Sequence, residues 1–145
     1  MPEKETLERA EQDKEEGKSP STQAGEFVRE EIHHIREGKH GAASAKQAIA
    51  IGLSKARRAG VDLPAPQKGR VSERTRKSAE RDVERGHSRK KKAVSVSRSR
   101  GSEAALKKEP RSAVSHKALS RQARSAASAR KKAGTKTTQS RRKAA

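Results

Sequence analysis

Large apolar residues cluster between positions 27 and 63, and the helical period organises them there. Ala24, Phe27, Val28, Ile32 and Ile35 form one stripe, with Ser21 or Thr22 as a capping residue and Gly38 as a stop. Past "GKHGAA", Ser44 is placed to cap a second helix whose stripe is Ala45, Ile49, Leu53, Ala56 and Ala59, ended by Gly60. Two helices joined by a short Gly-containing loop predict an antiparallel helical hairpin over residues 22–63. Ile51 lies about 200° around the helix from Ile49, off the stripe. It suits either the returning Val61 and Leu63 or a second copy of the chain, so a homodimer through the hairpin is expected.

Outside this unit the pattern fades. Beyond Met1, residues 1–21 carry Leu7 as their one large apolar residue, and a helix there has little to pack. Pro64 and Pro66 end the hairpin. "SERTRKSAERDVERG" predicts a marginal, exposed helix near 72–86, with Ala79 and Val83 as its apolar content. The stretch 64–145 is otherwise low-complexity. The expected fold is therefore mostly α with extensive disorder: a polar acidic lead (1–21), a short antiparallel helical hairpin (22–63) and a low-complexity basic tail (64–145).

Composition agrees with that division. Of 145 residues, 28% are hydrophobic and 38% charged, with one Phe and no Tyr or Trp, too little apolar surface to order the whole length. Residues 1–69 hold 12 basic and 12 acidic residues, whereas 70–145 hold 25 basic and 6 acidic and so carry the whole formal charge of +19. No acidic residue follows Glu109. The absence of cysteine removes disulfides, thiolate metal sites and cysteine nucleophiles. No apolar run reaches the roughly 18 residues of a membrane span, and the acidic N-terminus has no signal-like apolar core. The expected location is cytoplasmic and nucleoid-associated.

A tail of this charge displaces condensed counterions from a polyphosphate without needing a fold. With about eight phosphates neutralised, log affinity on duplex DNA falls with log salt at a slope of roughly −7. In "SHKALSRQARSAASARKKAG", Lys117, Arg121, Arg124 and Lys131 project along one side of a helix, opposite Leu119, Ala123, Ala126 and Ala133. The expected phosphate contacts are Arg89, Lys90, Lys91 and Lys92 as an anchor, then Lys117, Arg121, Arg124, Arg130, Lys131 and Lys132, and finally Arg141, Arg142 and Lys143. Lys55, Arg57 and Arg58, at the end of the second helix, are the contribution expected from the hairpin; complementing the helix dipole alone would also account for them. The tail lacks aromatic platforms for single-stranded bases, which favours duplex DNA, while "SVSRSRGS" keeps RNA as the alternative. A membrane surface is disfavoured, because the tail has no Trp or Phe to insert.

Catalytic patterns are missing. Gly17-Lys18-Ser19 would need Gly at position 12 for a phosphate loop, where Gln12 stands. No G-x-S-x-G is present, and the chain is too small in core to shield a triad. Glu30/His33 and Glu31/His34 have spacings that share a helix face, and His40 follows them. Because the second helix offers no Glu, Asp or His, no metal, cofactor or enzymatic role is assigned.

The segment "GEFVREEIHHIREGKHG…KQAIAIGLSKARRAG" resembles a family of small uncharacterised bacterial basic proteins with a KQAIAI-LS-AR-AG helix, some loosely described as DNA-binding or plasmid-stabilisation proteins. The tail is similar in style to histone-like tails. The resemblance implies a nucleic-acid-binding, nucleoid-associated or histone-like role, with an antitoxin-like accessory of plasmid maintenance as the alternative, and it brings no catalytic residues.

Overall fold

The structure is a computed structural model that describes residues 1–88 and 93–144, with side chains through residue 134. The chain is mostly helical: α1 (Lys4–Glu15), α2 (Pro20–Arg36), α3 (Ala45–Arg58), α4 (Glu73–His87), α5 (Val96–Lys107), a 3-10 turn (Arg111–Val114) and α6 (His116–Ala144). Helix α2 packs on α3, and this pair is flanked by α1 against α2 and α4 against α3. The 3-10 turn sits on α2 and α3, and α6 leaves it to run past α3.

Local chemistry explains the boundaries. Helix α2 begins two to three residues earlier than Ser21 or Thr22 would set it. Ser19 is the cap, accepting from the Thr22 N–H at 3.3 Å, and Pro20 fills the first helical position, where its missing N–H leaves nothing unbonded. Ser44 and Ser72 cap α3 and α4 in the expected way. Helix α3 ends in a Schellman motif: Gly60 N–H donates to Arg57 O and Val61 N–H to Ala56 O, both at 3.1 Å. Gly60 adopts φ +98° there, a conformation that suits a residue without Cβ.

The α2–α3 seam differs from the expected stripes. Ala24, Phe27 and Ile35 of α2 are buried, but α3 turns Ala45, Ala48, Gly52 and Ala56 inward, leaving Ile49, Ile51 and Leu53 half-buried and Ala59 exposed. The reason is close backbone approach. A Cβ on Gly52 would lie 2.6 Å from Val28 Cα, so small residues occupy the contact line and the larger ones flank it.

Two small cores result. Ala10, Ala24, Phe27, Ala56 and Val61 form one, with Leu53 and Leu63 against it. Ile35, Ala42, Ala48, Ala113 and Val114 form the other, with Ile32 beside it. Each needs a residue from outside 22–63. Ala10 comes from the polar lead, whose helix packs through small side chains and ion pairs such as Arg9 Nε–Glu26 Oε2 at 2.7 Å. Val114 comes from the basic half, and its carbonyl also accepts from Arg36 Nη2 at 3.3 Å.

Candidate nucleic-acid interface

Helix α6 is the main basic element. Ser115 starts it, its hydroxyl accepting from Ala118 N–H at 3.2 Å and its carbonyl from Leu119 N–H at 2.9 Å. Ala118, Leu119, Gln122 and Ala126 are half-buried, whereas Lys117, Arg121, Arg124, Arg130, Lys131 and Lys132 are all exposed. Lys117 to Lys131 spans about 21 Å of helix at about 1.5 Å per residue. Among the described residues, Lys117, Arg121, Arg124, Arg130 and Lys132 take no part in an ion pair with a carboxylate; the run lies beyond the chain's last acid, Glu109. Between the starts of α3 and α6 lies an open cleft of about 370 Å³, into which Ser44, Lys46, Ser112, Arg121, Gln122 and Ser125 project. Lys46 thus faces the same opening as Arg121, a pairing that sequence spacing does not signal. Arg89, Lys90, Lys91 and Lys92 lie outside the described residues, as do the side chains of Arg141, Arg142 and Lys143.

The three basic residues of α3 have other partners. Lys55, with a side chain 17% exposed, puts Nζ 2.7 Å from Glu31 Oε2 and 3.5 Å from Glu30 Oε1. Buried Arg57 donates from Nε to Leu63 O at 3.3 Å and from Nη2 to Pro64 O at 3.2 Å, clasping the segment that follows α3. Burial lowers its pKa, and the Asp82 charge opposes that shift. Arg58 is exposed; its Nε donates to Ser54 O at 3.3 Å and lies 3.9 Å from Asp82. Of the three expected phosphate contacts, Lys55 and Arg57 are thus engaged internally and Arg58 is exposed. Lys55 and Arg57 hold the fold together, because an internal carboxylate and two backbone carbonyls already occupy them.

Lys55 reaches from α3 into a buried ionic cluster with α1, α2 and the α2–α3 loop. The Glu3 amide donates to Glu30 Oε2 at 3.0 Å, and the Thr6 hydroxyl, which makes no full hydrogen bond, lies near the same carboxylate. Burial pushes the Glu30 carboxyl up, but Thr6, the Glu3 amide, Lys55 and His34 outweigh it, and its pKa lies below the ordinary carboxylate value. His34 Nε2 contacts Glu3 Oε1 at 2.8 Å, which with Lys39 holds the Glu3 carboxyl below its usual value. His40 closes the group, with Nε2 at 3.0 Å from Glu31 Oε1.

With this geometry in view, the matched segment can be placed. DUF6496, a family of unknown function, matches residues 14–68. Those residues contain all of α2 and α3 and most of the buried ionic cluster, and they stop short of α4, α5 and α6. The segment that resembles an uncharacterised family is thus matched by one, whose description says nothing of DNA or of plasmid maintenance. No curated protein and no solved structure matches the chain. No helix among the described residues is long and apolar enough to cross a membrane.

Proposed function

We propose that the protein binds duplex nucleic acid, DNA first, with little sequence preference, through phosphate contacts of α6. The observation that carries this reading is the exposed face of Lys117, Arg121, Arg124 and Lys132 on a helix whose sequence has no acidic residue, opposite half-buried Leu119 and Ala126. A rigid row of cations over about 21 Å suits a backbone of regularly spaced phosphates. Lys46, across the cleft from Arg121, extends the row onto α3, and exposed Arg58 stays available at its far end. With no Phe, Tyr or Trp after Phe27, stacking on unpaired bases contributes little, so duplex is preferred over single strands.

The test is a gel-shift series against salt on duplex DNA, single-stranded DNA and duplex RNA. Affinity for duplex should fall steeply with salt. The combined variant Lys117→Glu, Arg121→Glu, Arg124→Glu should make the log–log slope shallower by about 3, from about 0.9 per contact. A salt-independent affinity, or a slope untouched by these substitutions, overturns the reading.

One observation favours a second reading, an accessory factor that acts through α2 and α3 as an antiparallel helical hairpin: the family match covers those helices and not α6. Under it, the α6 variant keeps binding that is selective for one sequence.

A further inference from the structure

The buried ionic cluster contains an arrangement that nucleic-acid binding does not use. Glu31, His34 and His40 each present a ligand atom within 4.8 Å of the other two. Glu31 and His34 share one face of α2 at an i, i+3 spacing. The third member comes from the α2–α3 loop, which is why inspection of the second helix for ligands misses it.

The hydrogen bonding of His40 is the informative detail. Its Nδ1 lies 3.0 Å from Gly41 O, and a carbonyl only accepts, so Nδ1 carries a proton. In a neutral ring Nε2 is then a bare lone pair, yet it lies 3.0 Å from Glu31 Oε1, another acceptor. The contact is satisfied either by a second proton, which makes His40 an imidazolium paired to Glu31, or by a metal ion bound to both atoms. His34 is steadied in a similar way, through Nε2 and the Glu3 carboxylate at 2.8 Å. An imidazole fixed by a carbonyl or a carboxylate on one nitrogen is the usual outer-shell arrangement of a metal-bound histidine. Glu31, with its side chain 1% exposed, has Lys55 Nζ at 2.7 Å from its other oxygen, in a contact that lacks hydrogen-bond alignment. That ammonium orients the carboxylate and leaves Oε1 facing His40. His40 also lines an open cleft of about 560 Å³ together with Glu37, Gly38 and Arg111, a path by which an ion can enter.

The geometry points to a divalent transition-metal site formed by Glu31, His34 and His40, with two imidazoles and one carboxylate as donors, a set that suits zinc. Bonds of about 2.0–2.2 Å from one ion reach both Glu31 Oε1 and His40 Nε2 at their present separation, and a small movement of the His34 ring completes the set. The ion cross-links the end of α2 to the loop leading into α3. This inference is independent of the nucleic-acid reading.

The test uses the full chain and Zn²⁺ or Co²⁺ alone. Titration calorimetry should give one equivalent per chain, and the ring resonances of His34 and His40 should shift together and saturate at that point. His33, His87 and His116, which lie elsewhere, should not follow them. The conservative loop substitution His40→Gln should weaken binding by at least about tenfold while the helical circular dichroism stays unchanged. Should that variant unfold, the ring resonances of the unmodified chain decide. Absence of saturable uptake, shifts centred on His33, His87 or His116, or a folded His40→Gln variant with undiminished affinity each overturns the proposal.

Discussion

Lys55 and Arg121 carry the same charge on helices of the same protein, and their surroundings give them opposite uses. On α3, Lys55 lies between two buried carboxylates and Arg57 holds two backbone carbonyls, so the cations of the α2–α3 body are part of its internal structure. On α6, Arg121 and its neighbours stand in solvent with no acid within their own helix. A count of basic residues treats both regions alike. What separates them is the balance of partners: residues 1–69 have as many acids as bases, and the stretch beyond Glu109 has no acids.

Substitutions can break that contrast, and the largest effect belongs to the body. Glu31→Ala leaves Lys55 and His40 facing a desolvated gap, and should lower stability by about 3 kcal/mol in urea unfolding, within the range for breaking a buried ion pair. Gly52→Ala is next. The added Cβ meets the Val28 backbone, and even after the better helix propensity of Ala is allowed for, a loss of about 1–2 kcal/mol is expected, with α2 and α3 pushed apart. Ser44→Ala removes the acceptor for Gln47 N–H and should lower the urea midpoint by an amount equivalent to about 1 kcal/mol. Smallest in stability is Arg124→Glu, within about 0.5 kcal/mol of wild type. That change should nevertheless weaken duplex binding at low salt, as a filter-binding assay would read. If Arg124→Glu unfolds the chain, or Glu31→Ala leaves stability unchanged, the two regions are not divided in the way described.

Much of the body is legible in the sequence, for local reasons. The Ser44 and Ser72 caps, the Gly38 and Gly60 stops and the burial of Phe27 and Ile35 all follow from chemistry within one helical turn. The inward face of α3 is less legible, because weighting large side chains points to Ile49 and Leu53 when close packing has selected Ala48 and Gly52. Lead helix α1 was hidden for a related reason: Thr6 and Ala10 are poor hydrophobic signals, and much of what holds α1 is ionic. The candidate interface shows the same division. Exposure of Lys117, Arg121 and Arg124 follows from helical spacing, whereas the withdrawal of Lys55 and Arg57 and the approach of Lys46 to Arg121 do not.

By itself, the sequence determined the helices α2, α3 and α4, the caps of α3 and α4, the Gly38 and Gly60 stops and the segregation of positive charge toward the C-terminus, since these depend on neighbours along the chain. The expected disorder of the lead and of the basic stretch is not what the described residues show, because α1, α5 and α6 are helical there. Only the tertiary structure decided which cations are internal and which are exposed. It also decided that Val114 completes a core begun by Ile35, and that His40 meets Glu31 and His34. Those outcomes depend on contacts between residues distant in sequence or joined through a loop, and helical period and spacing do not encode the direction in which a loop returns.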